Sequence, residues 1–359
     1  MGSILPTDQV LNIAVAGLGR MGKRHVHTLV GRVPRAKVVA VCSNWDNEVQ
    51  WAEEAYKGTG IQVFNSYEDM IQLPSLNAVW ISTSTDVHAS QTLAAINKGL
   101  HVLCEKPLST DLAEAEHVVD VANAHPELKV MAGYSRRFDA SYRAAKDRLA
   151  GIGAPFVVRS QTCDLLDDTG FFVRYAARNG GIFVDCCIHD IDLSLYYMGE
   201  DLVPKSAYAV GSLQHHPELG PLQDVDNGVG IVEYWGGKMA YFYCSRTQAH
   251  GHDVCTEITG TKGKIMVNLI PRSNHVQVAD SNGISNAVPE EYWQRFEDAF
   301  ATEANEFVAS VLDDKPVPVK LELGVKGVII GRALQDSLLS GEVVKFNEKG
   351  QRLDGKNLI

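Results

Sequence analysis

Residues 11–22 read LNIAVAGLGRMG, an apolar run from Ile13 to Ala16 that ends in Gly17-x-Gly19-x-x-Gly22. A helical pattern follows from about Met21 to Leu29, and a second apolar run covers Lys37 to Cys42. Strand, glycine turn, helix and strand within about 30 residues is the form of a dinucleotide-binding βαβ unit. In such a unit Gly17 permits the tight turn, Gly19 lets the backbone approach a pyrophosphate, and Gly22 lets the helix pack on the strand. The helix N-terminus adds unpaired N–H groups and a positive dipole end for the anion. A strand before the motif and a helix after it set it apart from a chance glycine turn.

The alternation continues outward. Helical patterns at Val49–Tyr56, Tyr67–Leu73, Val87–Lys98 and Leu112–Ala124 separate strand-like runs at Gln62–Phe64, Ala78–Ser82, His101–Cys104 and Lys129–Ala132. Ser109 or Thr110 is the expected cap of the last helix. This pattern implies a doubly wound parallel sheet. After Tyr134 the character changes. Runs at 155–163, 205–213, 228–235, 238–246, 254–259, 264–269 and 275–279 are rich in Val, Ile, Tyr and Thr. Gly236-Gly237 reads as a two-residue hairpin turn, and Thr261-Lys262-Gly263 as another turn. Helices are expected at about 182–198, 291–312 and 321–340. The fold class is therefore α/β over 1–134 and α+β over 135–359. The first is a nucleotide-binding domain. The second carries a mainly antiparallel sheet.

Composition narrows the function classes. At 359 residues the chain makes about two domains. Apolar residues at 45% and charged residues at 21% are ordinary for a globular protein. A net charge of −11 repels phosphate backbones and anionic lipid, so nucleic acid and membrane are poor partners. Met1 to Gln9 lacks a leader pattern, and Pro6 stands where a Gly2 myristoylation motif wants Ser or Thr. Seven cysteines with no Cys-x-x-Cys pair suggest free thiols in the reducing cytosol.

Cofactor choice turns on the end of the second strand. NAD sites usually place Asp or Glu there to hold the ribose hydroxyls. Here Ser43 and Asn44 occupy the place, and Arg20 lies in the glycine turn. The charges at this corner lean to NADP over NAD, with Asp46 keeping NAD open.

Two further stretches carry chemistry. Cys104-Glu105-Lys106-Pro107 ends a buried parallel strand, where ligands of such sheets bind. An ammonium there can stabilise an alkoxide as hydride leaves. Gly180-Gly181 then precedes a helix in which Asp185, His189 and Asp192 fall at i, i+4 and i+7. Val184, Ile188, Ile191, Leu195 and Met198 form its apolar stripe. A carboxylate four residues from an imidazole can orient the ring for acid–base work. A solvated Asp–His pair is the plainer alternative. Cys187, His189 and Asp192 are ligand types for a metal, but their spacing matches no zinc pattern, so no metal is expected.

Together these motifs resemble the glucose–fructose oxidoreductase / inositol dehydrogenase (Gfo/Idh/MocA) family, over essentially the whole chain. The resemblance implies a Rossmann domain with an open antiparallel sheet, and catalysis by Lys106, Asp185 and His189. It implies cofactor contacts from Gly17, Gly19, Arg20, Met21, Gly22, Ser43, Asn44, Ser82, Thr83, His88, Glu105 and Lys106. Tyr134-Ser135-Arg136-Arg137-Phe138-Asp139 is similar to an Arg-Arg-Tyr-Asp stretch of inositol dehydrogenases, which makes Arg136 a substrate-binding candidate. Asp164, Asp192 and His252 join it as pocket candidates, beside Lys106, Asp185 and His189. The chain departs from those enzymes at His250-Gly251-His252-Asp253, where they read Tyr-Gly-Tyr-Asp. It also departs at Phe300, which stands where they carry a pocket tyrosine.

The expected function is an NAD(P)-dependent oxidoreductase acting on a secondary alcohol or ketone of a cyclic polyol or sugar. The family often forms homodimers or homotetramers through the second-domain sheet. Two alternatives remain open: a non-catalytic NAD(P)- or sugar-sensing regulator, and a reductase of a C=N or unsaturated ring substrate.

Overall fold

The computed structural model describes residues 9–355, so the leader and Gly2 readings fall on residues 1–8, outside that span. The chain divides into two compact units. One takes the residues through Ser135 together with Asp298–Val325, and the other Arg136–Glu297 with the residues from Lys326 onward.

The first unit alternates as its sequence predicts. Its elements are β1 (Leu11–Ala16), α1 (Arg20–Arg32), β2 (Ala36–Cys42), α2 (Asp46–Ala55), β3 (Gln62–Phe64), α3 (Tyr67–Met70) and β4 (Ala78–Ile81). They continue with α4 (His88–Asn97), β5 (His101–Glu105), α5 (Leu112–Ala124) and β6 (Val130–Gly133). The strands form one parallel sheet in the order β3-β2-β1-β4-β5-β6. The order reverses between β1 and β4, and such reversals open a crevice at the carboxyl ends of the strands. Every residue of β4 is buried, because helices cover both faces of a parallel sheet. The cap of α5 is Asp111, not Ser109 or Thr110. Asp111 accepts from Glu114 N at 3.0 Å, while Ser109 donates to the Glu114 carboxylate at 2.7 Å.

The expected continuous domain over 135–359 meets an exception in Asp298–Val325, which groups with the first unit. Phe300 sets its ring edge 5.4 Å from His25, and Phe307 lies 6.4 Å from Trp80. Asp313 pairs with Arg35 and Asp314 with Lys129, each at 2.7 Å.

The remaining elements are α6 (Ala140–Asp147), β7 (Pro155–Leu165), α7 (Phe171–Ala176), α8 (Ile182–Asp185), α9 (Ile188–Met198), β8 (Pro204–Ser212) and β9 (Asn227–Tyr234). They are followed by β10 (Lys238–Gln248), β11 (Asp253–Gly260), β12 (Gly263–Val267), β13 (Gln277–Asp280) and β14 (Gly283–Asn286). Last come α10 (Tyr292–Leu312), α11 (Leu321–Ser340) and β15 (Val344–Lys345). Seven strands form a sheet in the order β12-β11-β7-β10-β9-β8-β15, parallel only between β7 and β10. The apolar stripe of α9 is buried along with Val184, as its periodicity predicts. Phe183 packs so closely on β9 that a Cβ at Gly228 or Gly230 would come within 3.0 Å of its ring.

Three local expectations change. The single helix over 182–198 is two, because Cys186 N and Cys187 N both bond to the Ile182 carbonyl and a new helix starts from Cys187. The turn at Gly236-Gly237 has three residues, since Tyr234 pairs with Lys238. The run at 275–279 leaves the large sheet, and β13 pairs only with β14. Among the described residues no helix is long and apolar enough to cross a membrane.

Candidate active site

The glycine turn in the first unit has the geometry its sequence implies. Gly17 has φ +88°, and a Cβ there would lie 2.5 Å from the Ser82 carbonyl oxygen. At Gly22 a Cβ would lie 1.8 Å from the Gly17 oxygen. Around Gly19 the space is open, its nearest neighbour for a Cβ being Glu48 Oε1 at 3.9 Å. The first turn of α1 has no side-chain cap and no acidic residue, so its N–H groups suit an anion. Arg20 is exposed and Met21 half-buried at this end.

Several residues expected to touch cofactor also shape the cradle. Ser82 donates to the Ala16 carbonyl at 3.0 Å, and Thr83 to Gln91 at 2.7 Å. His88 is buried with Nδ1 2.8 Å from the Pro107 carbonyl and Nε2 3.1 Å from the Thr83 carbonyl. Two carbonyls can both be satisfied only by two N–H groups, an arrangement that favours the imidazolium. Burial opposes that charge, but Cys104 and the two carbonyls outweigh it and raise the pKa to about 9. His88 thus ties the loop after β4 to the bend after Lys106. Glu105 bonds to His25 Nε2 at 2.7 Å and accepts from Lys106 N at 3.3 Å. Burial favours its acid form, but His25, then Lys106 and His88, outweigh it and hold the carboxyl below its usual range. The side chains of Ser82, Thr83, His88 and Glu105 are thus all hydrogen-bonded within the first unit. Lys106 follows them at the carboxyl end of β5 and is half-buried.

The expectation of NADP rests on the absence of a carboxylate at the end of β2. The structure corrects that premise. Ser43 donates to Glu48 Oε2 at 2.6 Å, which brings an acid from the first turn of α2 to that end. Asn44 is exposed beside it.

In the second unit Asp185 closes α8 and His189 belongs to α9, so their i, i+4 spacing does not place them on one helical face. Asp185 accepts from Asn179 at 3.1 Å, Arg246 at 3.2 Å and Tyr175 at 3.3 Å. Arg246 is itself buried and paired with Asp224 at 2.8 Å. His189 is 6% exposed, with Nε2 3.3 Å from the Tyr292 hydroxyl and its ring stacked on Tyr292 at 5.4 Å. His252 meets the same tyrosine edge-on at 5.5 Å, and its Nδ1 lies 3.0 Å from Asp164 Oδ1 without hydrogen-bond alignment. The structure therefore gathers His189, His252 and Asp164 around Tyr292. Tyr292, which no motif in the sequence singles out, supplies a phenol to this group. Phe300 is buried against His25. An aromatic at the start of the helix following His252 was the available signal.

Arg136 is corrected from a substrate contact to a buried structural cation. It is 1% exposed and donates to Asp190 at 2.9 Å and Thr162 at 2.7 Å. Asp192 is likewise no pocket residue. Both its oxygens accept from Arg137 at 2.8 Å, and burial still pushes its pKa up. The ligand types Cys187, His189 and Asp192 are not gathered. Cys187 clusters with Asp190 and Cys244 instead, all buried. Asp190 there accepts from Arg136, Ser160 and Thr162, and burial pushes the Cys187 thiol up to about 11. A fixed cation and protonated thiols make this packed core.

A buried imidazole against a phenol can take or give one proton. His252 and Asp164 beside it add donors and acceptors suited to a ligand with hydroxyls.

Residues 11–134 match the model of the oxidoreductase family with an NAD-binding Rossmann fold, GFO_IDH_MocA. Residues 142–266 match the GFO/IDH/MocA C-terminal domain. The chain is 30% identical to scyllo-inositol 2-dehydrogenase (NAD(+)) of Bacillus subtilis, over 95% of this chain and 98% of that one. It is 28% identical to myo-inositol 2-dehydrogenase of Thermotoga maritima, over 94% and 99%. A crystal structure of scyllo-inositol dehydrogenase from Lactobacillus casei, with NAD(H) and scyllo-inositol bound, superposes with a TM-score of 0.88. It is 32% identical, covering 94% of this chain and 99% of that one.

Proposed function

This chain belongs to the GFO/IDH/MocA oxidoreductase family, and from that premise we propose that it is a nicotinamide-dependent dehydrogenase of a cyclic polyol or sugar. It moves a hydride between the cofactor and a secondary alcohol or ketone. The glycine turn supports the cofactor half. Gly17 and Gly22 leave no room for a Cβ, while Gly19 leaves its backbone open to a pyrophosphate. The bound nicotinamide supplies the hydride acceptor for the oxidation. That its relatives are named inositol dehydrogenases supports the substrate class.

One observation carries the substrate half: a buried His189 whose Nε2 faces the Tyr292 hydroxyl. In oxidation His189 takes the hydroxyl proton at Nε2, and Tyr292 fixes the plane of the ring. Lys106 donates to the reacting oxygen and stabilises the developing alkoxide. Asp185, held by Arg246 and Asn179, offers a fixed acceptor to a substrate hydroxyl. Asp164 and His252 bind further hydroxyls. In reduction the proton moves the other way.

Seven unpaired cysteines support a reducing compartment, and we place the protein in the cytosol. The test is NAD(P)H absorbance with a panel of polyols, aldoses and ketoses. Turnover with at least one cyclic polyol or sugar is expected. Nucleotide binding without turnover across the panel would overturn the reaction.

A further inference from the structure

β2 ends at Cys42, and the next residue, Ser43, is neutral and 4% exposed. Its hydroxyl has one proton, and that proton is given to Glu48 Oε2 at 2.6 Å. Ser43 Oγ also accepts from Trp45 N at 3.2 Å, which fixes the approach to α2. Glu48 lies in the first turn of α2, so the helix turns its carboxylate back over the strand end. The other carboxylate oxygen borders the glycine turn, 3.9 Å from where a Cβ of Gly19 would stand. One half-buried acid thus bonds to the strand end and borders the turn. In doubly wound sheets that corner holds the adenosine ribose.

We propose that Glu48 is the residue that selects NAD over NADP. This rests on the dinucleotide reading above. The carboxylate accepts hydrogen bonds from the 2′- and 3′-hydroxyls of the ribose. It repels a 2′-phosphate, which brings further negative charge to the same corner. Ser43 cannot relieve the repulsion, since its only hydroxyl proton is already committed to Glu48. Arg20 follows Gly19 in sequence and is the cation that would attract a 2′-phosphate. Glu48 brings the opposing charge to that turn. The acid comes five residues after Ser43 and from a helix, so the strand end by itself conceals it.

The test is binding without substrate. The full-length protein is titrated with NADH and with NADPH, following reduced-nicotinamide fluorescence. NADH is expected to bind at least about tenfold tighter, the scale of one charge-assisted hydrogen bond. Glu48→Gln keeps the shape and removes the charge. It should weaken NADH by about tenfold and tighten NADPH, bringing the ratio near one. Ser43→Ala frees the carboxylate without removing it and should lose part of the selectivity. Should Glu48→Gln fail to fold, Ser43→Ala and Glu48→Asp give the reading. Glu48→Asp retains the preference for NADH at lower affinity. Equal or tighter NADPH binding by the wild type, or an unchanged ratio in Glu48→Gln, overturns the proposal. Glu48-dependent NADH selectivity in a protein without polyol turnover would sink the proposed reaction and leave this inference standing. Polyol turnover at least as efficient with NADP as with NAD would do the reverse.

Discussion

His189 and Lys106 carry the reaction proposed above, and their surroundings differ. His189 is 6% exposed and stacked on Tyr292, so its ring has little freedom to turn. Lys106 follows a carboxylate anchored to His25 and precedes a proline whose carbonyl is held by His88. His189→Ala and Lys106→Ala should each lower kcat by at least about 10²-fold, the general acid–base scale. NADH binding by fluorescence should persist in both. Tyr292→Phe keeps the stacking and removes the hydroxyl near Nε2, so its loss of kcat should be smaller than that of His189→Ala. Full kcat in the two alanine variants, with cofactor bound, would remove both residues from the mechanism. Asp185 and His189 also show what spacing alone conveys. Their i, i+4 separation is plain in the sequence, but the turn at Cys186-Cys187 separates the helices that carry them.

Among the elements, α10 holds an unusual group. Glu303 is fully buried, and neither carboxylate oxygen finds a donor among the described residues. Burial, and then the charge of Glu105, push its pKa well above the usual 4.5. The folded chain therefore keeps a proton on Glu303 that the unfolded chain releases above about pH 4.5. Stability must fall as pH rises past that point, because folding has to take the proton up. Glu303→Gln removes this linkage and fills the same volume. The melting temperature of Glu303→Gln relative to wild type should increase between pH 5 and pH 8. At about 2–4 °C per kcal/mol, calorimetry resolves the trend. A difference that stays constant with pH would show that Glu303 is ionised in the fold. α9 presents the opposite arrangement, with Asp190 and Asp192 buried but matched by Arg136 and Arg137. Removing one partner of such a pair leaves an uncompensated charge, at a cost of roughly 3–5 kcal/mol.

At the scale of the whole molecule, one face of the seven-stranded sheet is covered by α9 and the other exposes large apolar side chains. Tyr208 and Val210 of β8, Val229 and Ile231 of β9, and Met239 and Tyr241 of β10 are each at least 39% exposed. A contiguous apolar patch of this kind marks an association surface. It supports the homodimer or homotetramer expected through this sheet. Light scattering should give a multiple of the chain mass for the wild type. Ile231→Glu with Tyr241→Glu should shift it toward one chain with the fold retained. A wild-type monomer at micromolar concentration would dismiss the interface.

The parallel sheet, the tight turn at Gly17, the close packing at Gly22 and the stripe of α9 were legible in the sequence, because local chemistry decides them. Strand and helix periodicities set which face is buried, and Gly17 is needed where φ is positive whatever surrounds it. Tertiary structure alone decided which polar groups meet. Glu48 reaches Ser43, Arg136 is spent on Asp190, Tyr292 stacks on His189, and Asp298–Val325 joins the first unit. Such pairings join residues on different elements. A side chain's partner there follows from how backbone elements pack, which residue spacing along one element does not encode.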